Sequence, residues 1–122
     1  MVEDESLILE IMAESLADAG YNVLTAVDGP SALALIEDSP DRFTALFSDF
    51  HLPGGLTGLD VARAMRGRYP SIPVILATGR PDVLDHRWHS DAGFVLLRKP
   101  YRPSELIVKM GGLIPPHNLP AG

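Results

Sequence analysis

The sequence predicts an α/β domain built on a parallel sheet with helices on both faces. Two observations carry this expectation. Apolar runs of strand length alternate with segments whose apolar residues recur at helical spacing, and the β-α alternation is completed five times. The runs also end at polar residues and turn formers, as in Ala45-Leu46-Phe47-Ser48-Asp49 ahead of Pro53-Gly54-Gly55. Right-handed crossovers then leave few topologies for such a chain.

In order, Met1 and Val2 are all that precedes the acidic triplet Glu3-Asp4-Glu5. Leu7, Ile8, Ile11, Met12, Leu16 and Ala19 mark a first helix from Ser6 to Ala19, with Ser6 as N-cap and Gly20 as the C′ stop. Tyr21 to Ala26 is rich in strand formers and reads as the second strand. Pro30 suits the first turn of a second helix that runs to about Asp38. Ser39-Pro40-Asp41-Arg42 is a loop into the third strand, which ends at Asp49. Leu59, Ala62 and Met65 mark a third helix that Tyr69-Pro70-Ser71 ends. Pro73 to Ala77 is the fourth strand, closing on Thr78-Gly79, and a fourth helix is read over 82–92. Phe94 to Leu97 is the fifth strand, running into Arg98-Lys99-Pro100. Ser104 to Met110 is the last helix, stopped by Gly111-Gly112. We therefore expect one domain over 1–112 and a Pro-rich tail or linker over 113–122.

The 122 residues suit one domain, and 46% hydrophobic with 21% charged residues is the balance of an ordinary globular protein. A net charge of −6 gives no support to nucleic-acid or anionic-membrane binding by this chain. The absence of cysteine excludes disulfides, thiolate nucleophiles and cysteine metal sites. The apolar runs fall far short of the roughly 20 residues that span a bilayer. A soluble, cytoplasmic domain is the expectation.

Parallel strands bring their carboxyl ends to one edge, where ligands bind in open α/β sheets. Glu3 and Asp4 follow strand one, Asp49 ends strand three, Thr78 ends strand four and Lys99 follows strand five. Clustered carboxylates repel each other, and an oxygen-only set favours a hard divalent cation such as Mg²⁺. Each piece alone has a plainer reading. The acidic triplet suits a helix N-terminus, Asp49 a turn, Thr78 a cap, and Lys99-Pro100 an exposed loop. Four such pieces at four strand ends make coincidence a poor account.

From Val2 to about Met110 the sequence resembles the receiver domain of two-component response regulators. The resemblance rests on Glu3-Asp4 in VED, Asp49 in FSDFHLPG, Thr78-Gly79 in LATG, and Lys99-Pro100 in RKP. It implies a flavodoxin-like (βα)5 fold, doubly wound with strand order 2-1-3-4-5. It also implies phosphorylation of Asp49 by a sensor histidine kinase or phosphotransfer protein, assisted by Thr78 and Lys99. Mg²⁺ (or Mn²⁺) would be held by Asp4, Asp49 and the main-chain carbonyl of His51, with Glu3 acting through water. Output would pass to a downstream protein partner through the face of helix four, strand five and helix five; homodimerisation is left open. The resemblance makes the chain a phosphoacceptor switch, not a turnover enzyme.

The sequence departs from the family pattern in several places. The aromatic residue common three positions before the lysine is replaced by Leu96, and Tyr101 reads as an exposed-face packing residue. One extra residue between Asp49 and Gly58, accommodated by Gly54-Gly55, resembles receivers attached to hybrid sensor kinases. His51 and Arg80 stand two residues beyond Asp49 and Thr78, where they could set the lifetime of the phosphoryl group. Met1-Val2 is short for an interior first strand, so further native residues are expected before Met1. His86, His89 and His117 lack metal-type spacing, and Trp88 reads as packing. Two rival readings are a degenerate receiver that only binds protein, and a haloacid-dehalogenase-like phosphatase. The latter requires an aspartate at the position His51 fills.

Overall fold

The run Val74-Ile75-Leu76-Ala77-Thr78 has no polar side chain before its last position, and it is the middle one of three full strands in a computed structural model, which describes residues 1–38, 43–79 and 94–114. This strand, β2 (Val74–Thr78), is buried along its whole length. β1 (Leu46–Asp49) lies parallel to it on one side, with Leu46 opposite Val74 and Asp49 opposite Ala77. β3 (Val95–Arg98) lies parallel on the other, with Thr78 opposite Arg98.

Val2 extends the sheet beyond β1. It forms parallel bridges to Ser48 and to Ala26, so the order across the sheet is Ala26, Val2, β1, β2, β3. That is the predicted 2-1-3-4-5 order, with the first two positions reduced to single bridges. The predicted second strand is thus corrected: Tyr21 to Thr25 is not strand, despite its strand formers. Strand propensity is realised only beside a partner, and among the described residues only Ala26 of this segment forms a bridge, to Val2.

Period-two alternation divides the core between two layers. Val74 and Leu76 join Val2, Leu46, Ala32, Ile36, Val61 and Met65 on the face covered by α2 (Gly29–Asp38) and α3 (Gly58–Arg68). Ile75, Ala77, Phe47 and Leu97 meet Met12, Leu16, Leu106 and Met110 on the opposite face, under α1 (Ser6–Asp18) and α4 (Pro103–Leu113). Helices on both faces make the sheet doubly wound. Burying Ile75 or Leu76 completely contributes about 1.5–3 kcal/mol each relative to exposure.

Helix ends follow local chemistry, with two corrections. α1 is capped by Glu5, not Ser6, because the Glu5 N–H is already held by Glu3 Oε2 at 3.0 Å and the chain turns one residue earlier. Gly20, at φ 104°, is the expected C′ stop. Asp28 accepts from the Ser31 N–H at 2.8 Å at the start of α2. Thr57 and Asp60 form a reciprocal capping box for α3, which adds two bonds that the fold otherwise lacks there. α4 runs through Gly111 and Gly112 to Leu113 rather than stopping at them. Its end is secured by the Ile114 N–H to Met110 O at 2.8 Å and the Tyr21 hydroxyl to Ile114 O at 2.9 Å. The predicted fourth helix, the loop 39–42 and the tail from Pro115 lie outside the described residues, as do Arg80, His86, Trp88, His89 and His117.

Candidate functional site

The sheet register brings Asp49 and Thr78 to the carboxyl ends of neighbouring strands, and Lys99 follows the next strand directly. Asp49 is 1% exposed and Thr78 is 1% exposed, so both are core residues by environment. Glu3 is fully buried, while Asp4 beside it is exposed. Oxygens of Glu3, Asp4 and Asp49 lie within 4.8 Å of one another. The predicted juxtaposition is therefore formed.

Backbone hydrogen bonds fix the acid pair against Asp49. The Asp49 N–H donates to Val2 O at 3.0 Å, and the Glu3 N–H donates to Ala26 O at 3.1 Å. Beyond Asp49, the Phe50 N–H donates to Ala77 O and the Gly58 N–H returns to Phe50 O at 2.7 Å. Between them Gly54 and Gly55 adopt φ of 83° and 86°, which only glycine takes without strain. This is how the extra residue in the loop is absorbed.

Lys99 supplies the counter-charge. Its Nζ lies 2.8 Å from Asp49 Oδ1 and 3.8 Å from Glu3 Oε1. Beyond these ion pairs, and among the described residues, the buried Glu3 Oε1 and both Asp49 carboxylate oxygens have no hydrogen-bond partner. Buried acceptors left open in this way cost stability, and a positively charged ligand relieves the cost. Burial first, and then the neighbouring Asp49, hold Glu3 above the ordinary value of 4.5. Burial alone would lower Lys99, but Asp49, Glu3 and Asp4 outweigh it and hold the ammonium above 10.5. The Lys99 N–H also donates to Thr78 O at 2.9 Å.

His51 is exposed, its ring 5.1 Å from that of Phe50. Leu96 is half-buried against the α2-α3 layer. The exposed-face reading of Tyr101 is corrected: its ring packs edge-on to Phe47 at 5.7 Å, and its hydroxyl is buried without a hydrogen-bond partner. Burial, then the charges of Asp49 and Glu3, raise its pKa. Sequence reasoning missed Gly58, whose α-carbon packs so closely that an added Cβ would fall 2.0 Å from Asp49 O. Its signal was a glycine opening a helix just after a strand end.

This fold and this edge are those of a receiver domain of two-component signalling. The chain belongs to the response regulator receiver domain family, which it matches over residues 1–110. It is 36% identical over 115 residues to the response regulator MprA of Mycobacterium tuberculosis, covering 93% of this chain and 49% of MprA. The chain thus spans about half the length of the curated relatives it matches. A response regulator receiver domain protein from Clostridium thermocellum superposes with a TM-score of 0.82 at 27% identity, over 93% of this chain and 90% of that one. The receiver domain of the hybrid histidine kinase CckA superposes with a TM-score of 0.76 at 27% identity, over 93% and 94%. The domain acts in signal transduction, and Asp49 stands at the phosphoacceptor position.

Proposed function

We propose that Asp49 takes a phosphoryl group from a phosphohistidine and that the resulting acyl phosphate resets a protein-binding surface. The observation that supports this most is the buried Asp49 carboxylate, 2.8 Å from Lys99 Nζ and within 4.8 Å of Glu3 and Asp4. An Asp49 oxygen attacks phosphorus, the new O–P bond forms as the P–N bond breaks, and the imidazole leaves with the electron pair and takes a proton from solvent. Lys99 turns from the carboxylate to the phosphoryl oxygens, and the Thr78 hydroxyl donates to one of them. Little covalent work is asked of the protein, since phosphoryl transfer depends mainly on position and charge.

The open acid oxygens suit a hard divalent cation, Mg²⁺ or Mn²⁺. Asp4, Asp49 and the main-chain carbonyl of His51 would hold it, with Glu3 acting through water. Bound there, it offsets the charge between carboxylate and phosphate. The donor is a sensor histidine kinase or a phosphotransfer protein in the cytoplasm. The product carries about two negative charges where one stood, enough to bias a two-state loop. A downstream protein reads that change on the side of β3 and α4. His51 and Arg80 set the lifetime of the acyl phosphate, and equal decay in a His51→Ala, Arg80→Ala double variant would count against that role.

The test is incubation with acetyl phosphate and Mg²⁺ followed by intact mass. One added phosphoryl group, absent in Asp49→Asn, supports the reading. An unmodified chain under conditions that phosphorylate a control receiver overturns it.

A further inference from the structure

Among the described residues, four buried side-chain oxygens lack a hydrogen-bond partner: Glu3 Oε1, the two carboxylate oxygens of Asp49 and the Tyr101 hydroxyl. The carboxylate oxygens, when ionised, can only accept; the tyrosine alone carries a hydrogen to give. Nothing in its packing calls for that hydroxyl. The edge-on contact with Phe47 at 5.7 Å is made by the ring, and a phenylalanine ring would make it equally. Buried without a partner, the hydroxyl only costs stability.

Its place in the fold sets it beside the acid pair. Phe47 and Asp49 are two residues apart on β1, so their side chains leave the same face of the sheet. The ring that packs on Phe47 is thereby held on the side from which the acceptor projects. The charges of Asp49 and Glu3 act on the Tyr101 hydroxyl and, after burial, raise its pKa. Glu3, Lys99 and Tyr101 line one cleft of about 440 Å³, with Ile8 and Met12 as apolar wall. A water takes up about 30 Å³ and needs two to four polar partners, so the cleft has both the room and the partners for one.

We propose that Tyr101 is a positioning residue for Glu3, its hydroxyl donating to a water that in turn donates to Glu3 Oε1. The second hydrogen of that water serves an Asp49 oxygen, so one molecule joins the tyrosine to both buried acids. Glu3 Oε2 already accepts from the Glu5 N–H at 3.0 Å, and a bond at Oε1 fixes the carboxylate at both ends. Lys99 does not do this. Its Nζ stands 3.8 Å from Oε1 against 2.8 Å from Asp49 Oδ1, and it leaves both when it follows the phosphoryl group. The bearing of Tyr101 on the cation rests on the acid pair holding Mg²⁺ as proposed above; its hold on Glu3 does not.

The test compares the parent chain, Tyr101→Phe, Glu3→Ala and the double variant, by urea denaturation without metal and by calorimetry with Mg²⁺. Tyr101→Phe keeps the ring on Phe47 and removes only the hydroxyl. It is expected to lower the urea midpoint by about 0.5 M and to weaken Mg²⁺ binding about tenfold. In the Glu3→Ala chain the same change should lower neither. A midpoint equal to or above that of the parent makes the hydroxyl an unpaired group on a packing ring and overturns the inference. Equal falls in the two backgrounds overturn it as well, since the hydroxyl then acts elsewhere than at Glu3. Unchanged affinity in Tyr101→Phe, where the parent binds Mg²⁺, has the same force. A parent chain that binds no Mg²⁺ tells against the cation site instead, and the metal-free midpoints still decide the role of Tyr101.

Discussion

Gly58→Ala isolates the link between loop geometry and the acceptor carboxylate. An added Cβ falls 2.0 Å from Asp49 O, 2.8 Å from the Asp49 carbonyl carbon and 3.0 Å from Phe50 Cα. All three are backbone atoms, so no side chain can swing aside, and relief requires movement of about 1 Å to reach the closest approach normally tolerated. Overpacking of this kind costs about 1–3 kcal/mol. Losing the 2.7 Å bond from the Gly58 N–H to Phe50 O adds about 1 kcal/mol. With a urea m-value of roughly 2 kcal/mol/M, a total of about 2–4 kcal/mol lowers the midpoint by about 1–2 M. A shift near 1 Å at Asp49 should slow phosphoryl acceptance by on the order of 10²-fold. Gly67→Ala is the internal control, because a Cβ there meets nothing within 4 Å and the position lies in the last turn of α3. It should stabilise by about 0.5–1 kcal/mol. Equal midpoints for the two variants, or undiminished phosphorylation of Gly58→Ala, would refute the reasoning.

Two further outcomes follow from the same contacts. Thr57→Ala removes one half of the capping box on α3 and should cost about 1 kcal/mol in chemical denaturation, with the Asp49 phosphorylation rate nearly unchanged. Glu3 has a folded-state pKa above 4.5, so the folded domain binds more protons than the unfolded chain as pH rises through that value. Its contribution to stability is therefore lost with increasing pH, and Glu3→Gln should flatten this slope in melts taken upward from the ordinary carboxylate value of 4.5. The same variant should weaken divalent-cation binding, measured by calorimetry.

The site was legible because each of its pieces stands at a strand end, and strand ends are marked by chemistry that a linear reading detects. Asp49, Thr78 and Lys99 each close an apolar run, and a parallel register then brings them together without further information. Misreadings arose where tertiary context overrides local preference. Tyr21 to Thr25 has strand composition, but among the described residues only Ala26 forms a β-bridge there, to Val2. Gly111 and Gly112 look like a stop, yet Tyr21 reaches across from the far end of α1 to hold the turn beyond them. Tyr101 stands beside a charged loop in sequence, while its ring finds Phe47 in the core. No local pattern could report these long-range contacts. Gly58 is a different case, since its signal was visible but its meaning lies in how near Asp49 O passes.

The bond from the Lys99 N–H to Thr78 O has a mechanical consequence. It joins the backbone of the residue whose ammonium faces Asp49 to that of the residue whose hydroxyl closes the neighbouring strand. A pull on one is transmitted to the other across a single rung of the sheet. A shift of the Lys99 main chain is therefore expected to be felt at the Thr78 carbonyl, so the backbones behind the ammonium and the hydroxyl share one hydrogen-bonded rung.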